Sequence, residues 1–296
     1  MSLNHRDCEA FLAVAESGSF DQAGLKLNIT TAAISLRVQS LERSIGQTLI
    51  IRERPCRVTN SGKILVEHLL RQKRQEENVL QLIQGKHHQD EFYRIHLATN
   101  ADSLETWLLP MIAKTLSAEK IILQLKIDDQ SQTHQLMESG HVTACISSES
   151  QAMKGCVSIP LFQMRYLMVC TPEFKQEWFS TGLTRDNFRS APAVIFNDKD
   201  QLHTDVMIKL FGLPQTSYPY HYVPSSKSFA EAIELGMGYG MVPELQIRDQ
   251  ISTGKLICLL PEATQNIELY WHHWKNQSSQ LEKLTQVLTN TIIKKQ

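Results

Sequence analysis

The stretch from Ser19 to Gly62, SFDQAGLKLNITTAAISLRVQSLERSIGQTLIIRERPCRVTNSG, limits what this chain can fold into more than any other part. Phe20, Ala23 and Leu27 lie on one side of a short helix, and beyond Asn28-Ile29-Thr30 a second apolar stripe follows at Ile34, Val38, Leu41 and Ile45. That stripe centres on Ile34 and Leu41, so the opposite face carries Ala32, Leu36, Gln39 and Arg43, with Ser35 and Arg37 on its flanks. A helix that is apolar on one side and small or polar on the other can enter a DNA major groove, where hydroxyls and amides read base edges. Helical hairpins of this kind also occur inside enzymes, so the neighbouring sequence decides. Leu49 to Arg54 and Arg57 to Thr59 read as two short strands around Pro55-Cys56, a β-hairpin wing with arginines at its tip. From Arg37 to Arg74 there are nine Lys and Arg against three Glu, in a chain whose net charge is −1. A basic end on an otherwise acidic chain is the footprint of phosphate binding confined to one region. The candidates for contact with double-stranded DNA are Thr30, Thr31, Ser35, Leu36, Arg37 and Gln39 on the second helix, and Arg52, Arg54 and Arg57 on the wing.

Phe11, Val14, Gly18-Ser19-Phe20, Ala23, Leu27, Ser35, Leu41-Glu42, Gly46, Leu49, Arg52, Thr59 and Gly62 stand in an order that resembles the DNA-binding domain of LysR-type transcriptional regulators. The resemblance runs on through Asn100-Ala101-Asp102-Ser103-Leu104, Thr106-Trp107-Leu108-Leu109-Pro110 and Tyr270-Trp271-His272, which are similar to the arginine- and lysine-responsive branch of that family, the ArgP type. Members of that branch are also described as inhibitors of chromosome replication initiation. The resemblance implies a winged helix-turn-helix, a long linker helix through which two subunits dimerise, and a two-lobed effector domain like the periplasmic binding proteins. It further implies promoter DNA, a small-molecule effector, a second and a fourth copy of the chain, and RNA polymerase as partners. Two positions depart from the pattern. Ala23-Gly24 stands where the family commonly has Ala-Ala, and a glycine inside a helix costs about 1 kcal/mol relative to alanine, which predicts a slightly loosened helix. Leu36 stands where many members carry Arg or Gln; it cannot make a bidentate bond to guanine but can pack on a thymine methyl, with Arg37 moved to a phosphate or a flanking base.

At 296 residues the chain suits two or three units. The expected division is 1–62 for the winged helix-turn-helix, 63–90 for the linker helix and hinge, and 91–296 for the effector domain. Within that domain, lobe I takes about 91–162 and 266–296 and lobe II about 163–265. No apolar run approaches the roughly 18 residues that span a bilayer, and Met-Ser-Leu-Asn-His-Arg lacks the apolar core of a signal peptide. The expectation is a cytoplasmic protein, on the nucleoid when bound to DNA, without a membrane partner. Six cysteines at 8, 56, 145, 156, 170 and 258 show no C-x-x-C, so neither a disulfide framework nor a zinc ribbon is indicated.

Residues 4 to 16 form a first helix that packs Cys8, Phe11, Leu12 and Ala15 on the next two. Lys63 to about Gly85 runs without Pro or Gly, with Leu65, Leu69, Val79 and Ile83 on one side and the polar Lys86 to Asp90 as a hinge. From Phe92 strands and helices alternate, which predicts parallel β-α-β units. In open α/β sheets the ligand crevice lies beyond the C-terminal ends of the strands, next to helix N-termini. That rule selects Asn100, Ser103, Ser147 and Ser225 as donors for a carboxylate, and Asp102, Asp128, Asp129 and Asp198 as partners for a cation. Donors on one side and carboxylates on the other suit a basic amino acid, lysine or arginine, and with it control of basic amino acid export or metabolism. Each serine or asparagine serves equally well as a helix cap, and each aspartate as a solvated turn residue.

Catalysis has little support. None of the 11 histidines shows the H-E-x-x-H spacing of a zinc peptidase, and Gly236 to Gly240 follows a helix and precedes a strand, the reverse of a dinucleotide fingerprint. No cofactor, no metal and no enzyme are expected. The alternatives are a LysR-type regulator with another effector, such as an organic acid, and a solute-binding protein of the periplasmic-binding fold.

Overall fold

A computed structural model describes residues 3–84, 92–129, 133–198, 200–275 and 277–293. The expected hinge, Lys86 to Asp90, lies outside them. The chain divides into two compact units, Met1–His88 with Glu138–His141, and Gln89–Met137 with Val142–Gln296.

The first unit begins with three helices, α1 (His5–Ser17), α2 (Phe20–Leu27) and α3 (Thr31–Ile45). Each starts on a side-chain cap: Asn4 accepts from Arg6 N, Ser19 from Gln22 N, and Thr30 from Ala33 N. Each ends on a left-handed residue, Gly18, Asn28 and Gly46. Phe11, Val14, Ala23, Ile34, Val38 and Leu41 form the buried core. Ile45, expected in that stripe, is exposed at the end of α3. Gly24 does not loosen α2. A Cβ there would lie 2.8 Å from the Ile29 carbonyl oxygen, so glycine lets the turn into α3 close against the helix.

The wing is shorter than expected, with β1 (Ile50–Ile51) and β2 (Arg57–Val58) paired antiparallel. Glu42 ties it to α3 by accepting from Leu49 N at 2.8 Å and Ile50 N at 3.2 Å. Helix α4 (Asn60–Gln84) starts three residues before the expected Lys63. Leu65 and Leu69 are spent on the core of this unit, while Ile64 and Val79 are 71% and 51% exposed. The expected single stripe is therefore split between two jobs.

The second unit opens with β3 (Tyr93–Thr99), α5 (Ala101–Ser103), a π-helical turn Leu104–Leu108, α6 (Leu109–Ala118), β4 (Ile121–Ile127), α7 (Thr133–Glu138) and β5 (Ala144–Ser147). Strand β3 pairs parallel with β4 and β5. Next comes β6 (Cys156–Cys170), a strand of 15 residues. Then follow α8 (Pro172–Phe179), α9 (Arg185–Ser190), β7 (Ala193–Ile195), α10 (Gln201–Phe211), β8 (Tyr220–Tyr222), α11 (Ser226–Glu234), β9 (Gly240–Pro243), a 3-10 turn Glu244–Gln246, α12 (Arg248–Ser252), β10 (Ile257–Cys258), β11 (Gln265–Trp274) and α13 (Ser279–Ile293).

One seven-stranded sheet runs β10-β6-β11-β5-β3-β4, with β9 also on β6. Its two long strands, β6 and β11, pair antiparallel along most of their length. A small parallel pair, β7 with β8, joins through Val194 N donating to Tyr239 O at 2.8 Å. Among the described residues no helix is long and apolar enough to cross a membrane.

Candidate DNA-binding face and effector crevice

In the first unit α3 turns one side to solvent, the side the sequence offers as a reading surface. Leu36 is 62% exposed at its centre, with Ser35, Arg37 and Gln39 around it. Thr30 spends an oxygen lone pair on the helix cap at 3.2 Å and keeps its proton. Thr31 does the reverse, donating to Asp21 Oδ1 at 2.8 Å and keeping its lone pairs. Arg52 leaves the wing to lie over the Phe20 ring, 5.1 Å from its centroid, and donates through Nη1 to Ser35 Oγ at 3.4 Å. Arg54 is exposed at the wing tip. Arg57 is exposed too, but its guanidinium is paired with Glu53, so it contributes less free charge than the sequence suggested.

In the second unit the strand-end rule brings together some of the expected residues and not others. Asp102, in the short helix after β3, is the centre. Its Oδ1 accepts from Ser226 Oγ at 2.7 Å and its Oδ2 from the Tyr166 hydroxyl at 2.8 Å. Gln246 Nε2 holds Ser226 in turn by donating to its carbonyl at 2.9 Å. These residues come from α11, β6 and the turn after β9, so Asp102 is anchored to elements far along the chain. Burial pushes the Asp102 carboxyl above the usual range against the lowering effect of the Ser226 and Tyr166 bonds, and the nearby Asp129 charge adds to the rise. Asp200 is the third member. It caps α10, accepting from His203 N at 3.3 Å and Phe196 N at 3.2 Å. Burial raises its carboxyl as well, and the charges of Asp102 and Asp129 raise it further. The charges of Asp102 and Asp129 thus both act on Asp200.

Asp128 turns its carboxylate to Asp129 N at 2.9 Å, a local turn contact. Asp198 is exposed beside Tyr222 and does not join the group around Asp102, because the chain between β7 and α10 points Asp200 there instead. Ser225 is exposed and makes no cap bond; α11 begins one residue later, and Ser226 takes the place expected for it. Ser147 is buried and accepts from Glu149 N at 3.1 Å. Asn100 is buried at the cap position of α5 without a side-chain cap bond. The Ser103 hydroxyl is fully buried with no hydrogen-bond partner among the described residues. Sequence reasoning missed Tyr166, Asp200, Ser226 and Gln246. Asp200 carried a usable signal, an aspartate directly before a helical pattern. Among the described residues no three or more His, Cys, Asp or Glu are grouped to hold a metal ion.

Comparison with known proteins decides the family. Residues 5–63 match the bacterial regulatory helix-turn-helix protein model of the lysR family, and residues 88–292 match the LysR substrate binding domain. The chain belongs to the LysR family. It is 37% identical over 289 residues to the HTH-type transcriptional regulator ArgP of Photobacterium profundum, covering 97% of this chain and 96% of that one. To the ArgP of Klebsiella pneumoniae it is 36% identical over 290 residues, covering 96% and 95%. Among solved structures, ArgP from Mycobacterium tuberculosis matches with a TM-score of 0.81 at 30% identity, covering 98% of both chains. Full-length LysG from Corynebacterium glutamicum with bound effector Arg matches with a TM-score of 0.72 at 28% identity, again covering 98% of both. This LysR-family chain therefore has the winged helix-turn-helix and periplasmic-binding-like architecture and is a DNA-binding regulator, not an enzyme.

Proposed function

We propose that the crevice around Asp102 takes a basic amino acid, lysine or arginine, and that its occupancy sets how the chain acts on promoter DNA. The observation that carries this is the Asp102 carboxylate, held by Ser226 at 2.7 Å and Tyr166 at 2.8 Å and under the charge of Asp129, which also acts on Asp200. The Asp129 charge raises the carboxyls of both Asp102 and Asp200, a crowding that a cation relieves and an anion aggravates. The arginine held by LysG and the ArgP relatives support the same reading. In it, Asp102, Asp129 and Asp200 meet the side-chain cation, while Asn100, Ser103 and Ser147 lie on the side suited to the carboxylate.

The effector acts by population shift. It binds one arrangement of the lobes better than the other, and that difference changes the spacing of the recognition helices on bent DNA. Two subunits join along α4, where Ile64 and Val79 stand exposed, and dimers pair into tetramers. Control of basic amino acid export or metabolism, through contact with RNA polymerase at the promoter, is the corresponding role. Calorimetric titration of the full chain with L-lysine and L-arginine, beside a neutral and an acidic amino acid, tests the reading. Saturable binding of the basic pair alone supports it; binding of the acidic compound instead removes it.

A further inference from the structure

The wing arginine Arg52 sits in a place that phosphate binding alone does not explain. A phosphate-seeking guanidinium gains by reaching into solvent with its donors free. Here the guanidinium lies over the ring of Phe20 at 5.1 Å and turns a donor inward, to Ser35 Oγ at 3.4 Å. Phe20 opens α2, Ser35 stands in the first half of α3, and Arg52 follows β1, so one side chain joins three elements on the reading side.

The consequence falls on the serine. In a helix a serine hydroxyl can donate back to the carbonyl one turn earlier; Ser35 makes no such bond among the described residues, and its one contact there is with Arg52. A guanidinium has only donors and a full positive charge. It takes a lone pair of the hydroxyl and orients the O–H dipole with oxygen toward itself and hydrogen away. The proton is then left over for whatever meets α3. In the major groove a donor of this kind is answered by guanine O6 and N7, adenine N7 or thymine O4, and is refused by the cytosine amino group.

We propose that Arg52 is a positioning residue for base reading, holding Ser35 as a hydrogen-bond donor so that one operator position must present an acceptor. Phe20 serves the same end by fixing the guanidinium. The proposal is independent of which effector fills the crevice.

Selection of duplexes from a random pool with the full chain defines the preferred site. Dissociation constants on every single-base variant of that site, measured across a salt series, then give base preference and salt dependence separately. Ser35→Ala should lower discrimination at one position about fivefold, the worth of one hydrogen bond. Arg52→Gln should lower discrimination at that same position by a similar factor, leave the slope of log K against log salt unchanged, and add nothing in the Ser35→Ala background. Phe20→Leu, which alters no charge, should follow Arg52→Gln; if that variant does not fold, Arg52→Lys keeps the charge and loses the stacked fork. A slope reduced by about 0.9 in Arg52→Gln makes the residue a phosphate contact and overturns the proposal, whatever happens to preference. Unchanged preference at every position in Arg52→Gln overturns it as well.

Discussion

Replacing Asp102 by asparagine removes one negative charge from the crevice and keeps the size of the side chain. The wild-type carboxylate takes Ser226 on one oxygen at 2.7 Å and Tyr166 on the other at 2.8 Å. An asparagine offers a single acceptor oxygen, so one of those donors is left facing an amide. In the empty protein two effects oppose each other. The lost charge-assisted bond costs about 1.5–3 kcal/mol, and relief of crowding with Asp129 and Asp200 offsets part of it. For a cationic effector nothing offsets the loss. Truncating one partner of a buried charge pair costs about 2–5 kcal/mol, and the two remaining carboxylates hold the value near the lower end. That is about 2 kcal/mol, or roughly 30-fold in Kd. Calorimetry of wild type and Asp102→Asn with L-arginine and with its uncharged isostere L-citrulline reads this directly. Arginine should weaken about 30-fold and citrulline hardly at all. Equal losses for both ligands, or none for arginine, would refute the assignment of Asp102 to the cation.

Leu36→Gln should change the base preferred opposite the centre of α3 while leaving the salt slope alone, as read by binding-site selection, because the exposed leucine offers a thymine methyl only apolar contact. Gly62→Ala should destabilise the first unit by about 2–3 kcal/mol, since its Cβ would fall 2.3 Å from the Leu49 carbonyl oxygen that anchors the wing. Its thermal midpoint for DNA binding should drop by several degrees with effector affinity unchanged. His203 lies in α10 with its ring 5.9 Å from Tyr218 and 5.6 Å from Tyr239, and burial lowers its pKa to about 4. The unfolded chain binds its proton first as pH falls below about 6.5, so folding loses stability from there down to pH 4, up to about 2 kcal/mol by pH 5. The difference in thermal midpoint between pH 7 and pH 5 should therefore shrink in His203→Phe.

The helix-turn-helix was legible because its signals are local. Thr30 and Gly46 mark the ends of α3, and one apolar stripe names the face that packs inward. The crevice was legible only as a set of strand ends. Choosing between Asp198 and Asp200, or between Ser225 and Ser226, depends on where a loop hands over to a helix, and hydrophobic periodicity does not carry that register. Strand β6 carries Pro160, which cannot donate to a ladder. The ladder with β11 accepts it by shifting register between Glu268 and Tyr270, so the proline sits at an irregularity. Pro110 is accommodated in a similar way in the helix after β3. A proline cannot donate to the carbonyl one turn back, and the widened π turn from Leu104 to Leu108 directly before α6 takes up the mismatch.

The same β6 limits how this regulator can respond to its effector. A pair of lobes joined by two slack cords can open like a book, but here β9, β10 and β11 all pair with β6 in one continuous sheet, and β6 runs through it as a leaf spring. In the proposed reading, opening of the crevice twists this hydrogen-bonded ladder, which is irregular at the register shift near Pro160. The signal leaving such a crevice would be a twist of the sheet rather than a swing about a loose hinge.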